Sequence, residues 1–497
     1  MAAEPARKLA DLALLDGAER RGDWGALGLI TGLAVDSRDV LPGHLFAALP
    51  GSNLHGAEFI PYAVRMGAAV VLTDAAGADL AGPVDLPMLV HPDPRLAFAR
   101  AAARWYAAQP ETMVAATGTN GKTSVASFTR QIWEAADARA VNLGTTGVDG
   151  AVARPLNHTT PEPLTLHRLL ADLTTDGVTH AAMEASSHGL AQRRLDGVRL
   201  TAAAYTNISR DHLDYHPTFD DYFFAKAGLF ARVLPADGTA VINIDDHMGP
   251  TLAEQARARG QRVIAVGRRE TADLRLLNQR FDATGQDIRF SWGGQVHLAR
   301  LDLIGGFQGE NALIAAGLAL ATGCAAAQVF DALPGLSAVR GRMQRAAIRD
   351  NGAAVFVDYA HTPDALDTAL RALRPHVMGR LLVVFGAGGD RDPGKRPAMG
   401  AAARGAADVV FVTDDNPRSE DPAKIRAAIR TGAPEANEIG DRAEAILTAV
   451  DALQPGDTLL IAGKGHETGQ VVGEDVLPFD DAEQASIAVA ALDGGRA

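Results

Sequence analysis

A glycine-rich loop between an apolar strand and a helix is the sharpest chemical signal in the sequence. The apolar run Met113–Thr117 is followed directly by the segment GTNGKT. Glycines let backbone N–H groups close around phosphate oxygens, a lysine reaches the outer phosphates, and a threonine hydroxyl meets Mg²⁺. Ala116 stands where the general pattern has its first glycine. The candidate phosphate-binding residues are Gly118, Thr119, Asn120, Gly121, Lys122 and Thr123.

Two further clusters of polar residues also follow apolar strands. Glu184 ends the run His180–Glu184, and His212 lies in the segment Asn207–His216, which is dense in ionisable side chains. A carboxylate at the C-terminal end of a strand beside a phosphate loop is where a further Mg²⁺ ligand belongs. Open α/β sheets bind ligands at these strand ends, so we expect the clusters to lie together. From the residues alone, a surface carboxylate and a solvated loop stay open as alternatives.

Lysine is scarce in this chain, which draws attention to each one. Only six of the 47 basic residues are lysine, and the rest are arginine. A retained lysine indicates chemistry that needs a compact ammonium or an amine that can lose its proton. Lys226 lies in the helical pattern FDDYFFAKAGLF, where a solvated cation is the ordinary interpretation. Its apolar neighbours would instead favour the neutral amine, which can react with CO₂.

Composition limits the class of protein. The chain has 497 residues, 47% hydrophobic and 22% charged, which predicts two to four globular domains and excludes a disordered or fibrous chain. The single cysteine, Cys324, excludes a disulfide framework and a multi-cysteine metal site. A net charge of −13 is the wrong sign for nucleic acid, and no apolar run could span a membrane. The charged N-terminus lacks a signal-peptide core. We therefore expect a cytoplasmic monomer with no nucleic-acid partner.

The elements that must position these residues follow an α/β pattern. Short apolar runs alternate with alanine-rich helical stretches, which favours largely parallel sheets. The section Leu274–Ile304 differs, because its short strands joined by turns predict antiparallel pairing at the border of a central sheet.

Two breaks predict the domain boundaries. A helix near Arg95–Gln109 ends before Pro110, and the polar stretch Arg345–Gly352 precedes a strand at Ala353–Asp358. These breaks predict three domains, which comprise residues 1–108, 109–347 and 348–497.

The order of these motifs resembles the Mur ligases, the ATP-dependent amide-forming enzymes of peptidoglycan precursor assembly, over nearly the whole chain. The loop at residues 118–123 matches that family's ATP loop, and Tyr222–Lys226 looks like the segment with its carbamylated lysine. The resemblance implies a UDP-substrate-binding domain, a central P-loop ATPase-like domain and a Rossmann-like C-terminal domain. The implied catalytic residues are Lys122, Glu184, His212 and Lys226. The implied Mg²⁺ ligands are Thr123, Glu184, His212 and Lys226 as N6-carboxylysine.

The resemblance also extends the ATP site beyond the loop. The segment Gly306–Asn311 is similar to the family's adenine-side motif, although Gln308 replaces an expected asparagine. Asn311 retains the side-chain amide that the resemblance implies recognises the adenine base. Arg342 resembles the hinge arginine, and Asp358 begins a segment that resembles the C-terminal ATP contacts.

The N-terminal region and three central loops are similar to the parts that bind the UDP-linked substrate in members that add the third residue of the stem peptide. The implied contacts with UDP-N-acetylmuramoyl-L-alanyl-D-glutamate are Ser37, His55, Thr159, Thr160, Ser187, Gln192 and Arg194. Arg194 is preferred to Arg193 on its spacing from Gln192 alone. Without the resemblance, each of these residues reads as an ordinary polar loop position.

The C-terminal region carries a signal for amino-acid specificity. Its Asp-Asn-Pro-Arg segment resembles the motif of family members that add meso-diaminopimelate, although in an unrelated protein it would be a turn before a helix. Diaminopimelate differs from lysine by a distal carboxylate, which a planar guanidinium can hold through two parallel hydrogen bonds. The implied diaminopimelate site consists of Arg391, Asp415, Asn416, Pro417, Arg418, Gly463 and Glu467.

The resemblance implies that ATP phosphorylates the γ-carboxylate of the D-glutamate and that the diaminopimelate amine attacks the acyl phosphate. Closure of the third domain, with Arg342 near the hinge, would bring the substrates together. Two other functions stay open. A folylpolyglutamate synthetase-like ligase shares the phosphate and metal motifs but does not need the Asp36–Arg38 or Asp415–Arg418 segments. A nucleotide-dependent switch protein would hydrolyse nucleotide without any acceptor substrate.

Overall fold

The computed structural model describes residues 6–12, 14–24, 28–51, 54–209 and 215–494. The chain forms two compact units, one of Met1–Ala272 with Ile314–Ala325 and one of Asp273–Leu313 with Ala326–Ala497. Within the described ranges, every helix is too short or too polar to span a bilayer.

The first sheet lies in the N-terminal part of the first unit. Its order is β1-β5-β4-β3-β2, and only β1 is antiparallel to its neighbour. The strands are β1 Glu19–Arg21, β2 Gly32–Ala34, β3 His44–Ala47, β4 Val70–Thr73 and β5 Met88–Val90, and the helices are α1 Ile60–Arg65, α2 Ala75–Ala81 and α3 Pro94–Tyr106. The Asp93 side chain caps α3, which ends before Gln109 because Ala107 takes a left-handed conformation with φ of 61°.

The second sheet of this unit runs in the order β12-β11-β10-β6-β9-β7-β8 and is parallel except for β8. Its strands are almost wholly buried, which explains their continuous apolar sequences. The strands are β6 Thr112–Thr117, β7 Ala140–Gly144, β8 Gly147–Gly150, β9 His180–Glu184, β10 Ala202–Tyr205, β11 Thr239–Asn243 and β12 Arg262–Gly267. The helices are α4 Lys122–Ala135, α5 Pro163–Thr175, α6 Ser187–Ala191, α7 Phe219–Gly228 and α8 Gly249–Ala258.

The second unit begins with the three antiparallel strands that the sequence predicts. These are β13 Leu274–Asp282, β14 Gly285–Trp292 and β15 Gln295–Leu301. Helix α9 Phe307–Ala321 follows them, with its residues from Ile314 onward assigned to the first unit, and α10 Ala326–Ala332 comes next in the second unit.

The sheet of the second unit has the order β16-β17-β21-β18-β19-β20 and is parallel except for β16. The strands are β16 Gln344–Ile348, β17 Ala354–Asp358, β18 Leu381–Phe385, β19 Val409–Val412, β20 Asn437–Glu438 and β21 Thr458–Ala462, and a separate hairpin joins β22 Gly469–Val472 to β23 Asp475–Pro478. The helices are α11 Pro363–Leu373, α12 Lys395–Ala406, α13 Pro422–Arg430, α14 Arg442–Asp451 and α15 Asp481–Gly494.

Strand β16 lies where the sequence predicts a polar connection. It is at the edge of the sheet and only half-buried, so it contains Gln344 and Arg345 instead of an apolar run. Its antiparallel pairing with β17 begins at Gln344 opposite Val357. Because this edge strand is polar, its sequence does not predict a strand.

A buried ion pair fixes the strand ends of this sheet. The guanidinium of Arg442 donates to both carboxylate oxygens of Asp481 at 2.7 Å, and both side chains are fully buried. Arg442 also donates to the carbonyl oxygens of Ala462 at 3.0 Å and Asp414 at 3.2 Å. The pair therefore holds the segments that follow β21 and β19.

We expect Asp481→Ala to lower the free energy of unfolding by about 3 to 5 kcal/mol, because it leaves a buried guanidinium without its counter-charge. Unfolding in urea measures this loss. Asp475→Ala removes an exposed aspartate of the hairpin and should change the same quantity by less than about 0.5 kcal/mol. Equal stabilities of the two variants would contradict the role given to the ion pair.

Candidate active site

The loop after β6 has the form that phosphate binding requires. Gly118 and Gly121 have φ angles of 153° and 85°, and Lys122 begins α4. A Cβ atom on Gly118 would lie 1.9 Å from the hydroxyl of Thr206, so no other residue fits there. The loop is also held by Asn207, whose backbone oxygen accepts from Thr119 at 2.9 Å. Strand, loop and helix thus follow one another as predicted.

Glu184 lies beside this loop at the end of β9, and its side chain is buried. Its carboxylate accepts hydrogen bonds from the Thr123 hydroxyl at 2.9 Å and from the Thr145 backbone N–H at 2.8 Å. Gly144 provides the space that this carboxylate occupies, because a Cβ there would lie 2.0 Å from Oε1 of Glu184. Thr145 is not among the predicted site residues, although the Gly-Thr-Thr-Gly turn between β7 and β8 is a signal that could indicate it.

Lys226 is buried on α7 and reaches the same loop. Its Nζ atom donates to the carbonyl oxygen of Gly118 at 2.7 Å, and Nζ of Lys122 donates to the same oxygen at 3.0 Å. Nζ of Lys226 also lies 4.4 Å from the ring centre of Tyr222. Both lysine side chains of this region therefore meet at one carbonyl oxygen of the phosphate loop.

The structure therefore brings together three of the four predicted catalytic residues, Lys122, Glu184 and Lys226. The fourth, His212, lies outside the described residues. In the described part of the chain, no group of three or more histidine, cysteine, aspartate or glutamate side chains could hold a metal ion. The hydroxyl of Thr123 and the carboxylate of Glu184 are nevertheless neighbouring oxygen donors, the kind that Mg²⁺ prefers.

The predicted adenine-side residues lie at the start of α9. The amide of Asn311 donates to Oε1 of Gln308 at 3.0 Å, and both side chains are buried. The preceding turn is fixed at Gly305, whose N–H donates to Nε2 of His376 at 3.0 Å and whose oxygen accepts from Gln286 at 2.9 Å. Burial lowers the pKa of His376, consistent with a neutral ring that accepts this bond. Neither His376 nor Gln286 is among the predicted site residues.

Arg342 and Asp358 occupy neighbouring turns. The Arg342 guanidinium lies 4.6 Å from the ring centre of Tyr359. The Asp358 carboxylate accepts from the backbone N–H groups of Met343 at 2.8 Å and Ala360 at 2.9 Å, and burial raises its pKa. Asp358 therefore ties the Arg342 turn to the end of β17.

A pocket of about 260 Å³ in the first unit contains Gln192 and Arg194. Arg194 donates to the carbonyl oxygen of Thr160 at 2.7 Å and to Oε1 of Gln192 at 2.8 Å. Arg193 instead forms an ion pair with Asp93 at 2.9 Å, and it does not line the pocket. This geometry supports the preference for Arg194.

The pocket has a second arginine that the sequence analysis missed, Arg95 on α3. Its guanidinium donates to the carbonyl oxygen of Pro50, which also lines the pocket. Burial lowers the pKa values of both Arg95 and Arg194, and each remains far above neutral pH as an arginine. The lining also includes the carboxylate of Glu162, so two arginines against one acid leave the pocket with a net positive charge that suits an anionic ligand.

The other residues predicted to contact the UDP-linked substrate do not line this pocket. His55 caps a turn by accepting from the Ala57 N–H at 3.0 Å, and its Nε2 lies 3.1 Å from Asp74. Thr160 donates to the backbone oxygen of Glu184 at 2.9 Å, which connects it to the phosphate loop region. Ser37 begins a 3-10 helix at residues 37–39, and the Thr159 hydroxyl lies 3.0 Å from that of Thr145. Ser187 begins α6, and its buried hydroxyl has no hydrogen-bond partner among the described residues.

The predicted diaminopimelate residues lie on three loops at the carboxyl ends of β18, β19 and β21. Arg418 has a left-handed backbone with φ of 52°, held by a bond from its N–H to the Val471 oxygen at 3.1 Å. Its guanidinium donates to the Gly389 oxygen at 2.8 Å. A Cβ on Gly388 would lie 2.8 Å from Nη1 of Arg418 and 3.8 Å from Cγ of Arg391. The Arg418 guanidinium and the stem of Arg391 therefore both lie close to Gly388.

The remaining residues of this set meet at the loop after β21. The amide of Asn416 donates to Oε2 of Glu467 at 2.9 Å. Gly463 has φ of 116°, and a Cβ there would lie 2.6 Å from the carboxylate of Asp415. Pro417 packs against Gly389, where a Cβ would lie 1.9 Å from the proline oxygen. Two arginines and a carboxylate are thus arranged around one loop cluster.

Comparison with known proteins shows which family this arrangement belongs to. Three family models match consecutive parts of the chain, "Mur ligase family, catalytic domain" at residues 29–106, "Mur ligase middle domain" at 116–319 and "Mur ligase, glutamate ligase domain" at 341–465. A protein of Bradyrhizobium diazoefficiens, named UDP-N-acetylmuramoyl-L-alanyl-D-glutamate--2,6-diaminopimelate ligase, is 51% identical over 93% of this chain and 95% of its own. This chain belongs to the Mur ligase family.

Solved structures agree with this assignment. A structure titled as a UDP-N-acetylmuramoyl-L-alanyl-D-glutamate--2,6-diaminopimelate ligase is 34% identical, with a TM-score of 0.71 over 97% of this Mur ligase and 99% of that chain. A folylpolyglutamate synthase from Mycobacterium tuberculosis is 21% identical, with a TM-score of 0.61 over 75% of this chain and 92% of its own, which shows a shared fold alone. The resemblance and the three-domain α/β architecture are confirmed. The boundaries at 108 and 347 and the individual site residues stay predictions.

Proposed function

We propose that this Mur ligase joins meso-2,6-diaminopimelate to UDP-N-acetylmuramoyl-L-alanyl-D-glutamate and converts ATP to ADP and phosphate, a step of peptidoglycan precursor synthesis. The observation that carries the proposal is the arrangement of the loops after β18, β19 and β21, where the Arg418 guanidinium and the Arg391 stem lie near Gly388 and the Asn416 amide donates to Glu467. The arginines suit the distal carboxylate of diaminopimelate, and Glu467 suits its distal ammonium. The names of the relatives support the same substrates.

The residues around the phosphate loop fit transfer of a phosphoryl group from ATP. Attack by the γ-carboxylate of the D-glutamate on the γ-phosphorus forms a carboxyl-phosphate bond and releases ADP. The diaminopimelate amine then attacks that carbonyl carbon, forms the amide, loses a proton and expels phosphate. Lys122 would offset charge on the transferring phosphoryl group, and the loop N–H groups would hold the phosphates.

Mg²⁺ is the cofactor that this donor set fits. Thr123, Glu184, His212 and Lys226 as a carbamate would hold it, because together they supply oxygen atoms and one imidazole nitrogen. When bound, Mg²⁺ offsets the negative charge of the phosphates. Glu184 already accepts from the Thr123 hydroxyl, so the chain itself orients these two donors.

A coupled assay of ADP release tests the proposed reaction. ADP should appear only when both the UDP-linked dipeptide and meso-diaminopimelate are present, and L-lysine should replace diaminopimelate poorly. Release with a folate and glutamate would instead favour the folylpolyglutamate synthetase reaction. Release without any acceptor would favour a nucleotide-dependent switch. We also expect a monomer in gel filtration and a cytoplasmic location, because each predicted site draws on one chain and the reaction uses ATP.

Arg418→Ala should lower kcat/KM for meso-diaminopimelate by ~10- to 100-fold, because charge-assisted hydrogen bonds contribute about 1.5 to 3 kcal/mol. The KM for ATP should change little. Arg404→Ala is the matched control, since Arg404 is exposed on α12 and lies outside the predicted site. Unchanged diaminopimelate turnover in Arg418→Ala would show that the specificity assignment is wrong.

A further inference from the structure

Lys464 is a fully buried lysine in the loop between β21 and β22. Left-handed backbone at Gly463 and Gly465, with φ of 116° and 56°, flanks the residue on both sides. A buried ammonium is costly unless its three N–H groups and its charge are all satisfied. The partners of Lys464 therefore indicate why the fold retains a lysine here.

Those partners are two predicted diaminopimelate contacts and one backbone oxygen. Nζ of Lys464 donates to Oδ1 of Asn416 at 3.0 Å and to the oxygen of Gly469 at 2.6 Å. It also lies 3.3 Å from Oε2 of Glu467, with which it forms an ion pair. All three donors of the ammonium are thus used within one loop cluster.

The Asn416 side chain is fixed completely by this arrangement. Its oxygen accepts from Lys464 and from the Val471 N–H at 2.9 Å, and its amide nitrogen donates to Oε2 of Glu467 at 2.9 Å. The two donors determine which end of the amide is oxygen, so the amide nitrogen must face the carboxylate. Glu467 therefore receives two bonds on Oε2, while its side chain stays one-third exposed.

We infer that Lys464 is a positioning residue for the amino-acid site, which holds the carboxylate of Glu467 and the amide of Asn416 in place for the distal ammonium of the incoming amino acid. The inference rests on the proposed function for the identity of that amino acid. Lys464 acts through Asn416 and Glu467, and its own buried ammonium is occupied by the protein. An oriented carboxylate loses less conformational entropy when it binds an ammonium, so the contribution of Lys464 should affect substrate affinity.

Lys464→Met keeps most of the length of the side chain and removes its charge. We expect it to raise the KM for meso-diaminopimelate by ~10- to 100-fold, while the KM values for ATP and for the UDP-linked dipeptide change by less than about threefold. Lys424→Met, at an exposed position of α13, makes the same chemical change and should leave all three values unaltered. Thermal unfolding identifies the variants that fold, and Lys464→Gln provides a second folded variant with the same expected direction.

A double variant separates positioning from a purely structural role. If Lys464 acts through Glu467, adding Lys464→Met to Glu467→Gln should raise the diaminopimelate KM by no more than about threefold over Glu467→Gln alone. A diaminopimelate KM within about twofold of the wild type in folded Lys464 variants would overturn the inference. Independent, multiplying effects of the two substitutions would also overturn it. If the wild-type enzyme used another amino acid, the proposed function would be wrong. The positioning role of Lys464 would then be tested by the KM for that amino acid.

Discussion

Lys122→Ala should reduce ligation by a factor on the order of 10² to 10³ or more, because it removes a cation from the position where charge develops on the transferring phosphoryl group. The Nζ atom of Lys122 now donates to the oxygens of Gly118 at 3.0 Å and Thr119 at 2.9 Å. A triphosphate offers a stronger, charged acceptor to the same donor. ADP release at saturating substrates measures the loss.

The UDP-linked dipeptide should still bind to Lys122→Ala, because the pocket with Gln192 and Arg194 does not include the lysine. Calorimetry of dipeptide binding checks this point. Lys8→Ala is the matched control at an exposed position and should retain wild-type turnover. If Lys122→Ala lost turnover and dipeptide binding together, either the variant would be misfolded or the separation of the two sites would be wrong.

The parts of the fold that the sequence predicted are those with strong local patterns. The apolar strand before Gly118 and the helix after Gly121 were predicted because glycine placement and burial on both faces leave a periodic signal. The antiparallel strands β13 to β15 were predicted because turns interrupt them at short intervals. Local patterns of this kind do not depend on distant residues.

The parts that could not be predicted depend on contacts between distant residues. His376 accepts from the N–H of Gly305, 71 positions earlier, and nothing near either residue indicates this pairing. Arg95 shares a pocket with Arg194 only after the chain has folded. Strand β16 is polar because it lies at a sheet edge, which local sequence does not reveal. Long-range pairings of this kind are determined by packing, so a single sequence leaves them open.

The structure places Lys226 differently from the ordinary interpretation of its sequence pattern. A lysine on a helix is ordinarily a solvated cation, but this side chain is only 1% exposed and shares the Gly118 oxygen with Lys122. Its nitrogen therefore lies at the phosphate loop and not in solvent. Reaction of the neutral amine with CO₂ forms a carbamate and releases a proton, which replaces a positive group by an anionic oxygen ligand. We therefore propose that Lys226 acts as N6-carboxylysine at the phosphate loop.

We expect Lys226→Arg and Lys226→Ala both to lose nearly all ligase activity, by at least ~100-fold. Arginine keeps the positive charge but stays protonated, so it cannot form the carbamate at neutral pH. Alanine leaves a space in which added acetate or formate can supply the missing carboxylate and partly restore turnover. Lys424→Arg at the exposed site on α13 should remain fully active. Mass spectrometry under CO₂ should show the added carboxyl group on the wild-type chain.

The arginine variant is the decisive one, because it separates a requirement for positive charge from a requirement for a carbamate. A simple structural cation beside Gly118 could be supplied by arginine with modest loss, whereas a carboxylate ligand could not. Rescue of Lys226→Ala by acetate but not by methylamine of similar size would support the anionic role. Near wild-type turnover of Lys226→Arg, or rescue by methylamine alone, would mean that this position needs only a cation, and the carbamate would have to be abandoned.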